Sequence, residues 1–202
     1  MISAEYVRER LTSNARWFES HGAGGGNLGV GALYYSVPYA IGAARCVCLG
    51  SGGGFVPRMM VEAQRDLVGL GLLKEVDVTL IDAGDGGTSG EAPAWSGWFF
   101  ENYPEVKLIK GLTDDVVDQV DRINYLHVDA DHIYEHAMAD LRNYGAKMVG
   151  EWAITAHDTY QANKGLCQSW EAVNDYVSEF GYTFVNFPIG CGTALIMPRV
   201  GR

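Results

Sequence analysis

From Arg45 onward, short β-branched apolar runs alternate with stretches whose apolar residues recur at helical spacing. The runs Cys46–Leu49, Val76–Ile81, Val106–Ile109, Ile123–Val128 and Trp152–Ala156 predict five buried strands. Between them, Pro57–Leu70 reads as a helix, with Pro in its first turn and Gly69 and Gly71 at its end. Trp95–Tyr103 reads as a helix stopped by Pro104, and Thr113 or Asp114 as the cap of a helix through Val120. Tyr134, Ala137, Met138, Leu141 and Tyr144 make one helical face closed by Gly145, and Trp170, Val173, Val177 and Phe180 line a last helix. The tail YTFVNFPIGCGTALIMP reads as two strands about a Pro/Gly turn, a β-hairpin.

The N-terminal part differs. Residues 3–20 carry Tyr6, Val7, Leu11, Trp17 and Phe18 at near-helical spacing among charges, which predicts an amphipathic helix. The stretch HGAGGGNLGVG (His21–Gly31) reads as a flexible connector, with a lid over a ligand as the alternative, and residues 32–43 resume a helical pattern. Five strands separated by helices predict an α/β fold, a doubly wound, Rossmann-like, mostly parallel sheet of about seven strands once the C-terminal antiparallel hairpin is included. We expect one domain over 1–202: N-terminal helices and the glycine-rich loop in 1–43, the core in 45–198.

Composition narrows the function. The 202 residues carry 25 acidic against 15 basic side chains, a formal charge of -10. A phosphate backbone demands clustered Lys and Arg, so neither nucleic acid nor an anionic membrane is an expected partner. No apolar run approaches the roughly 18 residues that span a bilayer, and the charged N-terminus does not read as a signal peptide. Cys46, Cys48, Cys167 and Cys191 form no disulfide framework, and Cys46 and Cys48 share one face of a buried strand as small apolar fillers. The chain reads as cytoplasmic, with homo-oligomerisation left open.

In such sheets a ligand lies beyond the carboxyl ends of the strands. There this sequence places Gly50, Gly52, Gly53 and Gly54, then Asp82, then Gly111–Asp115, then Asp129, Asp131 and His132, and finally His157 and Asp158. Acids at the ends of separate strands are not needed by a scaffold. Asp82 can accept hydrogen bonds from both hydroxyls of a ribose, and Asp114 is either a ligand contact or a helix cap. His127 lies within a strand and reads as a satisfied core histidine. His132 and His136, four apart, form with Asp131 an alternative metal set.

The segment CVCLGSGGGFVP resembles the first motif of class I S-adenosylmethionine-dependent methyltransferases, whose glycines let the backbone turn tightly against the cofactor. A dinucleotide fingerprint would place Gly or Ala where Phe55 stands. The runs INYLHVDADHIYEHAMADL, AITAHDTY and GCGTALIMP resemble the subgroup containing cephalosporin-hydroxylase-like and macrolide-sugar O-methyltransferases, from about Arg45 to Pro198. The resemblance implies S-adenosylmethionine bound by Gly50, Ser51, Gly52, Asp82 and Asp114. It implies Mg²⁺ held by Asp129, Asp158 and His157, and catalysis by Asp129 and by His132 as general base. The implied acceptor is a small molecule with a sugar or phenol hydroxyl, in a pocket to which Trp95, Trp98, Phe99, Phe100 and Trp152 could contribute. Cys48 stands where many relatives have an acid, and Ala130 where the subgroup has Gly. Two alternatives stay open: a non-catalytic S-adenosylmethionine-binding module, and another Rossmann-fold enzyme, either an NAD-dependent oxidoreductase or a cofactor-cleaving enzyme.

Overall fold

The computed structural model describes residues 3–50, 53–84, 97–160 and 167–199. Its strands are β1 (Cys46–Leu49), β2 (Val78–Asp82), β3 (Val106–Lys110), β4 (Ile123–Val128), β5 (Met148–His157), β6 (Thr183–Phe187) and β7 (Thr193–Met197). They form one seven-stranded sheet in the order β3-β2-β1-β4-β5-β7-β6. The first five are parallel, and β7 runs antiparallel between β5 and β6. The later strand of the C-terminal hairpin is thus the one that joins the parallel sheet. Strand order reverses between β1 and β4, which opens the ligand crevice of an open α/β sheet at their carboxyl ends.

The helices are α1 (Ala4–Tyr6), α2 (Gly31–Ala40), α3 (Phe55–Gly69), α4 (Trp98–Asn102), α5 (Tyr134–Gly145) and α6 (Ser169–Phe180). Alternation along each strand divides the core in two. Cys46 and Cys48 of β1, Tyr125 of β4, Ala153 of β5 and Leu195 of β7 join a cluster with Tyr34, Phe55, Met59 and Met60 on the α2–α3 face. Val47, Leu49, Leu126, Val128, Ile154, Ala156, Ala194 and Ile196 join Leu141, Tyr144, Val173 and Tyr176 on the α5–α6 face. Both faces are covered, as a parallel sheet requires.

Two expected helices form differently. In place of a helix over 3–20 there is α1, a π-helical turn Val7–Leu11 and, after a break, a 3-10 turn Phe18–His21. The buried guanidinium of Arg58 on α3 claims the carbonyls of Leu11 (3.4 Å) and Ser13 (2.5 Å), which a continuing helix would need, and Asn14 and Trp17 take positive φ. That guanidinium lies 4.9 Å over the Trp98 ring, tying the N-terminal segment to α3 and α4. Instead of a helix to Val120 there are two 3-10 turns, Thr113–Asp115 and Val117–Gln119, so Asp114 is inside a turn rather than capping a helix. Among the described residues, no helix is long and apolar enough to cross a membrane.

The glycine-rich stretch is not a flexible connector. It is a strap packed over the carboxyl ends of the strands: the Ser20 carbonyl accepts the Cys191 N–H at 2.7 Å, and Val30 donates to His21 O at 2.9 Å. Gly29 has φ 54°, and a Cβ there would collide with the backbone of His21 and Gly22. Glycine serves close packing here, which composition alone does not separate from flexibility.

Asp140 on α5 is buried with both carboxylate oxygens lacking hydrogen-bond partners. Burial, reinforced by the charges of Asp114 and Asp131 and countered by Thr113 and His136, pushes its pKa up to about 7. Because the folded pKa is raised, stability is lost as pH rises from the free-acid value of 3.8 through about 7. Asp140→Asn therefore raises the thermal midpoint at pH 8, by about 2–4 °C for each kcal/mol of relieved charge burial, and leaves it unraised at pH 4. Circular dichroism melts at both pH values check this.

Candidate functional site

The period of two in β4 and β5 builds the site. Leu126 and Val128 point to the α5–α6 core, so His127 and Asp129 fall on the other face; Ile154 and Ala156 do the same for Thr155 and His157. Register then places His127 beside Thr155, and His157 beside Thr193 of β7. Polar groups from three strands thus converge on the side that the strap covers.

Asp129 is their centre. Its Oδ1 lies 3.2 Å from His157 Nδ1 and 3.9 Å from His132 Nε2, and its Oδ2 lies 3.7 Å from His127 Nε2. The His157 Nε2 reaches the Ser20 carbonyl of the strap at 3.3 Å. The buried His21 ring packs against His157 with centroids 4.0 Å apart and planes tilted by 31°, and its Nδ1 meets the Tyr34 hydroxyl at 3.0 Å, which continues to Thr193 Oγ1 at 2.9 Å. His127 is not a satisfied core histidine: Nδ1 pairs with Thr155 Oγ1 at 2.9 Å, but the buried Nε2 has no hydrogen-bond partner.

Electrostatics follow from this crowding. Burial, then the neighbouring His157, holds His21 well below the ordinary histidine pKa, and burial lowers His127. Burial opposes ionisation of Asp129 too, yet His157 and His127 keep its pKa well below the usual carboxylate range. Burial also works against a charge on His157, but Asp129 more than offsets it and the pKa is raised.

A second group stands at the rim. His132 Nδ1 pairs with Asp158 Oδ2 and lies 3.4 Å from Cys167 Sγ. The Asp158 hydrogen bond raises His132 to about 10, so at neutral pH it holds its proton and only a minor neutral form can accept one. Asp158 has φ 57°, an αL backbone that turns its carboxylate back towards β4. His157 Nδ1 is 3.7 Å from Asp158 Oδ1, so the two groups adjoin. The His132–His136–Asp131 set is not assembled: His136 Nδ1 pairs with Asp131 Oδ2 at 2.6 Å, while His132 turns to Asp158.

At the crevice, Gly50 has φ 67°, and a Cβ there would collide with the carbonyl of Asp129 and the Cα of Ala130. The ends of β1 and β4 are therefore in backbone contact. The buried Cys48 thiol donates to the Gly50 carbonyl at 3.2 Å, so a thiol bonds within this turn. Ser51 and Gly52 lie outside the described residues, as does Trp95. Asp82 ends β2, its Oδ1 accepting the Gly84 N–H at 2.8 Å. Asp114 is exposed and its Oδ1 accepts from Asn143 Nδ2 of α5 at 3.2 Å. Trp98 and Phe99 are engaged with Arg58, and Trp152 packs edge-on against Tyr182 at 5.0 Å.

The donors at this end do not suit Mg²⁺. That ion takes oxygen ligands in near-ideal octahedral geometry. Among the described residues, the two groups whose ligand atoms lie within 4.8 Å of one another are His21–Asp129–His157 and His132–Asp158–Cys167, each with a single carboxylate. Sequence reasoning missed His21, Tyr34, Cys167 and Thr193. Thr193 follows from strand register, but nothing local in HGAGGG marks its histidine as buried at a strand end.

No family model and no curated protein matches the sequence. Solved structures do match. An SAH-bound methyltransferase from Podospora anserina has a TM-score of 0.66 at 14% identity, over 98% of this chain and 92% of that one. The O-methyltransferase TomG of Streptomyces achromogenes, involved in tomaymycin synthesis and in complex with SAM, has 0.63 at 13%, over 96% and 91%. An O-methyltransferase of Bacillus cereus in complex with SAH has 0.61 at 14%, over 84% and 80%. At these identities the likeness establishes the fold, a Rossmann-like methyltransferase fold.

The Gly50 contact yields a first test of the crevice. Gly50→Ala combines a disfavoured φ with a backbone collision and should cost about 1–3 kcal/mol in urea denaturation. A cost below a few tenths would show that β1 and β4 do not meet as described.

Proposed function

We propose that the chain is an S-adenosylmethionine-dependent methyltransferase that methylates a hydroxyl of a small molecule, a sugar or a phenol. The observation that carries this reading is the glycine turn at Gly50, set at the reversal of strand order in a sheet that matches SAM- and SAH-bound methyltransferases along nearly its whole length. Gly50 lets β1 end in backbone contact with Asp129 and Ala130 of β4, and Asp82 ends the neighbouring strand as an acceptor for ribose hydroxyls. Gly50, Ser51, Gly52, Asp82 and Asp114 are the residues we assign to the donor.

S-adenosylmethionine supplies an electrophilic methyl group; the chain's own residues position the acceptor oxygen and handle its proton. His132 is the group placed for the second task. Asp158 holds Nδ1 and orients the ring; Nε2, 3.9 Å from Asp129 Oδ1, takes the hydroxyl proton in the minor neutral form, and Asp158 stabilises the imidazolium that results. The side chain is 36% exposed, so an acceptor can reach it. The charge of -10 favours a neutral or cationic acceptor.

Calorimetric titration with S-adenosylmethionine and its demethylated product should give dissociation constants in the micromolar range. Failure of both to bind would overturn the reading and direct attention to NAD. His132→Ala should lower single-turnover methyl transfer by about 10²–10⁴-fold while leaving donor affinity unchanged. Unaltered turnover would remove His132 from the mechanism.

A further inference from the structure

We propose that the covered end of β4 and β5 is a binding site for a divalent transition metal of the zinc class, ligated by Asp129, His157 and, from the N-terminal strap, His21. The inference does not rest on methyl transfer, because metal uptake is read without donor or acceptor. It replaces the oxygen-bound Mg²⁺ that the sequence resemblance implies with an ion suited to imidazole nitrogen.

The donor set is the first argument. Two histidines and one carboxylate are ligands that Zn²⁺ takes in three-residue sites with a fourth position left open. Their ligand atoms lie within 4.8 Å of one another. Bonds of 2.0–2.2 Å at tetrahedral angles set ligand atoms about 3.3 Å apart, so the triad needs to close by about 1.5 Å at its widest. The His157–Asp129 edge, at 3.2 Å, has that spacing already.

Orientation is the second. A metal-bound histidine usually gives its other nitrogen to a carbonyl or a polar side chain, which fixes the ring. Both histidines have that support. His157 Nε2 faces the Ser20 carbonyl and leaves Nδ1 towards Asp129; His21 Nδ1 faces the Tyr34 hydroxyl, backed by Thr193, and leaves Nε2 unengaged by these contacts.

The third argument is a deficit. His127 is fully buried, its Nε2 has no partner, and it points at the same carboxylate from 3.7 Å. Three imidazoles converge on one carboxylate, and one buried nitrogen among them faces it without a hydrogen bond. The adjoining His132–Asp158–Cys167 group offers a thiolate, and that difference makes the two locations separable by experiment.

The experiment uses the whole chain, stripped with a chelator and dialysed against Zn²⁺, Co²⁺ or Mg²⁺. We expect one equivalent of Zn²⁺ by elemental analysis, retained in millimolar Mg²⁺. The Co²⁺ form should show tetrahedral visible bands without a thiolate-to-cobalt band in the near ultraviolet. His21→Ala should weaken Zn²⁺ by more than about tenfold, since loss of a ligand costs no less than loss of a supporting hydrogen bond. Tyr34→Phe, which removes only a hydroxyl, should weaken it less and covers the case in which His21→Ala does not fold. Absence of stoichiometric Zn²⁺, displacement by Mg²⁺, or Zn²⁺ affinity unchanged in both variants would overturn the proposal. A thiolate band would overturn it as well, placing the ion at Cys167.

Discussion

The carboxylate of Asp129 sits at the end of a central strand, largely removed from water, and its charge has to be met by the protein. An unpaired buried carboxylate would cost several kcal/mol or would titrate to its neutral form. Here strand periodicity supplies the answer. Alternate residues of β4 and β5 bring His127 and His157 to the same face, and the loop after β4 brings His132. Two of these imidazoles, His157 and His127, keep Asp129 ionised despite its burial. Because Gly50 touches the backbone of Asp129 and Ala130, the position of that charge is also tied to the turn that ends β1. One contact thus couples the crevice at the strand-order reversal to the histidine cluster.

The strap completes this arrangement. Without residues 17–31, the ring of His157 and the end of β7 would face solvent, and the buried Tyr34 hydroxyl, itself paired with Thr193, would lose its histidine partner. The strap adds backbone acceptors as well as a side chain, since the Ser20 carbonyl takes both Cys191 N–H and His157 Nε2. Its other margin packs on the start of α3, where the Phe55 ring lies 5.3 Å from that of His21. The same Phe55 that departs from a dinucleotide fingerprint is therefore a support for the covering segment.

The sheet was legible because each parallel strand is a short apolar run closed by a polar residue, and burial on both faces leaves no other reading for such runs. The order β5-β7-β6 was not, since a hairpin's two strands are equivalent in pattern until one of them finds the parallel sheet. Helices with a two-sided pattern, α5 and α6, fall where their apolar faces put them. The N-terminal helix fails because a buried arginine 45 residues away takes the Ser13 carbonyl, a long-range contact that propensity cannot register. For the site, Asp129, His132, His157 and Asp158 were visible as polar ends of strands. His21 was hidden among glycines whose role is steric, and Cys167 precedes α6, where no strand end draws attention to it.

Exposure divides the cluster into an inner and an outer half. His157 is 3% exposed and lies under the strap, whereas His132 is 36% exposed on the far side of the same carboxylate. On the proposed reading a small acceptor would approach from the His132–Asp158 rim, and the inner histidines would act on it only through Asp129. This fits a division of labour in which buried groups set a fixed charge and one accessible base exchanges protons with substrate. The coupling is short: Asp129 Oδ1 is shared between His157 at 3.2 Å and His132 at 3.9 Å, so whatever engages the inner side changes the field at the base. A cation held between His21, Asp129 and His157 would draw on that shared oxygen and leave His132 more dependent on Asp158. In this arrangement the strap helps to set the chemistry of a site that it covers.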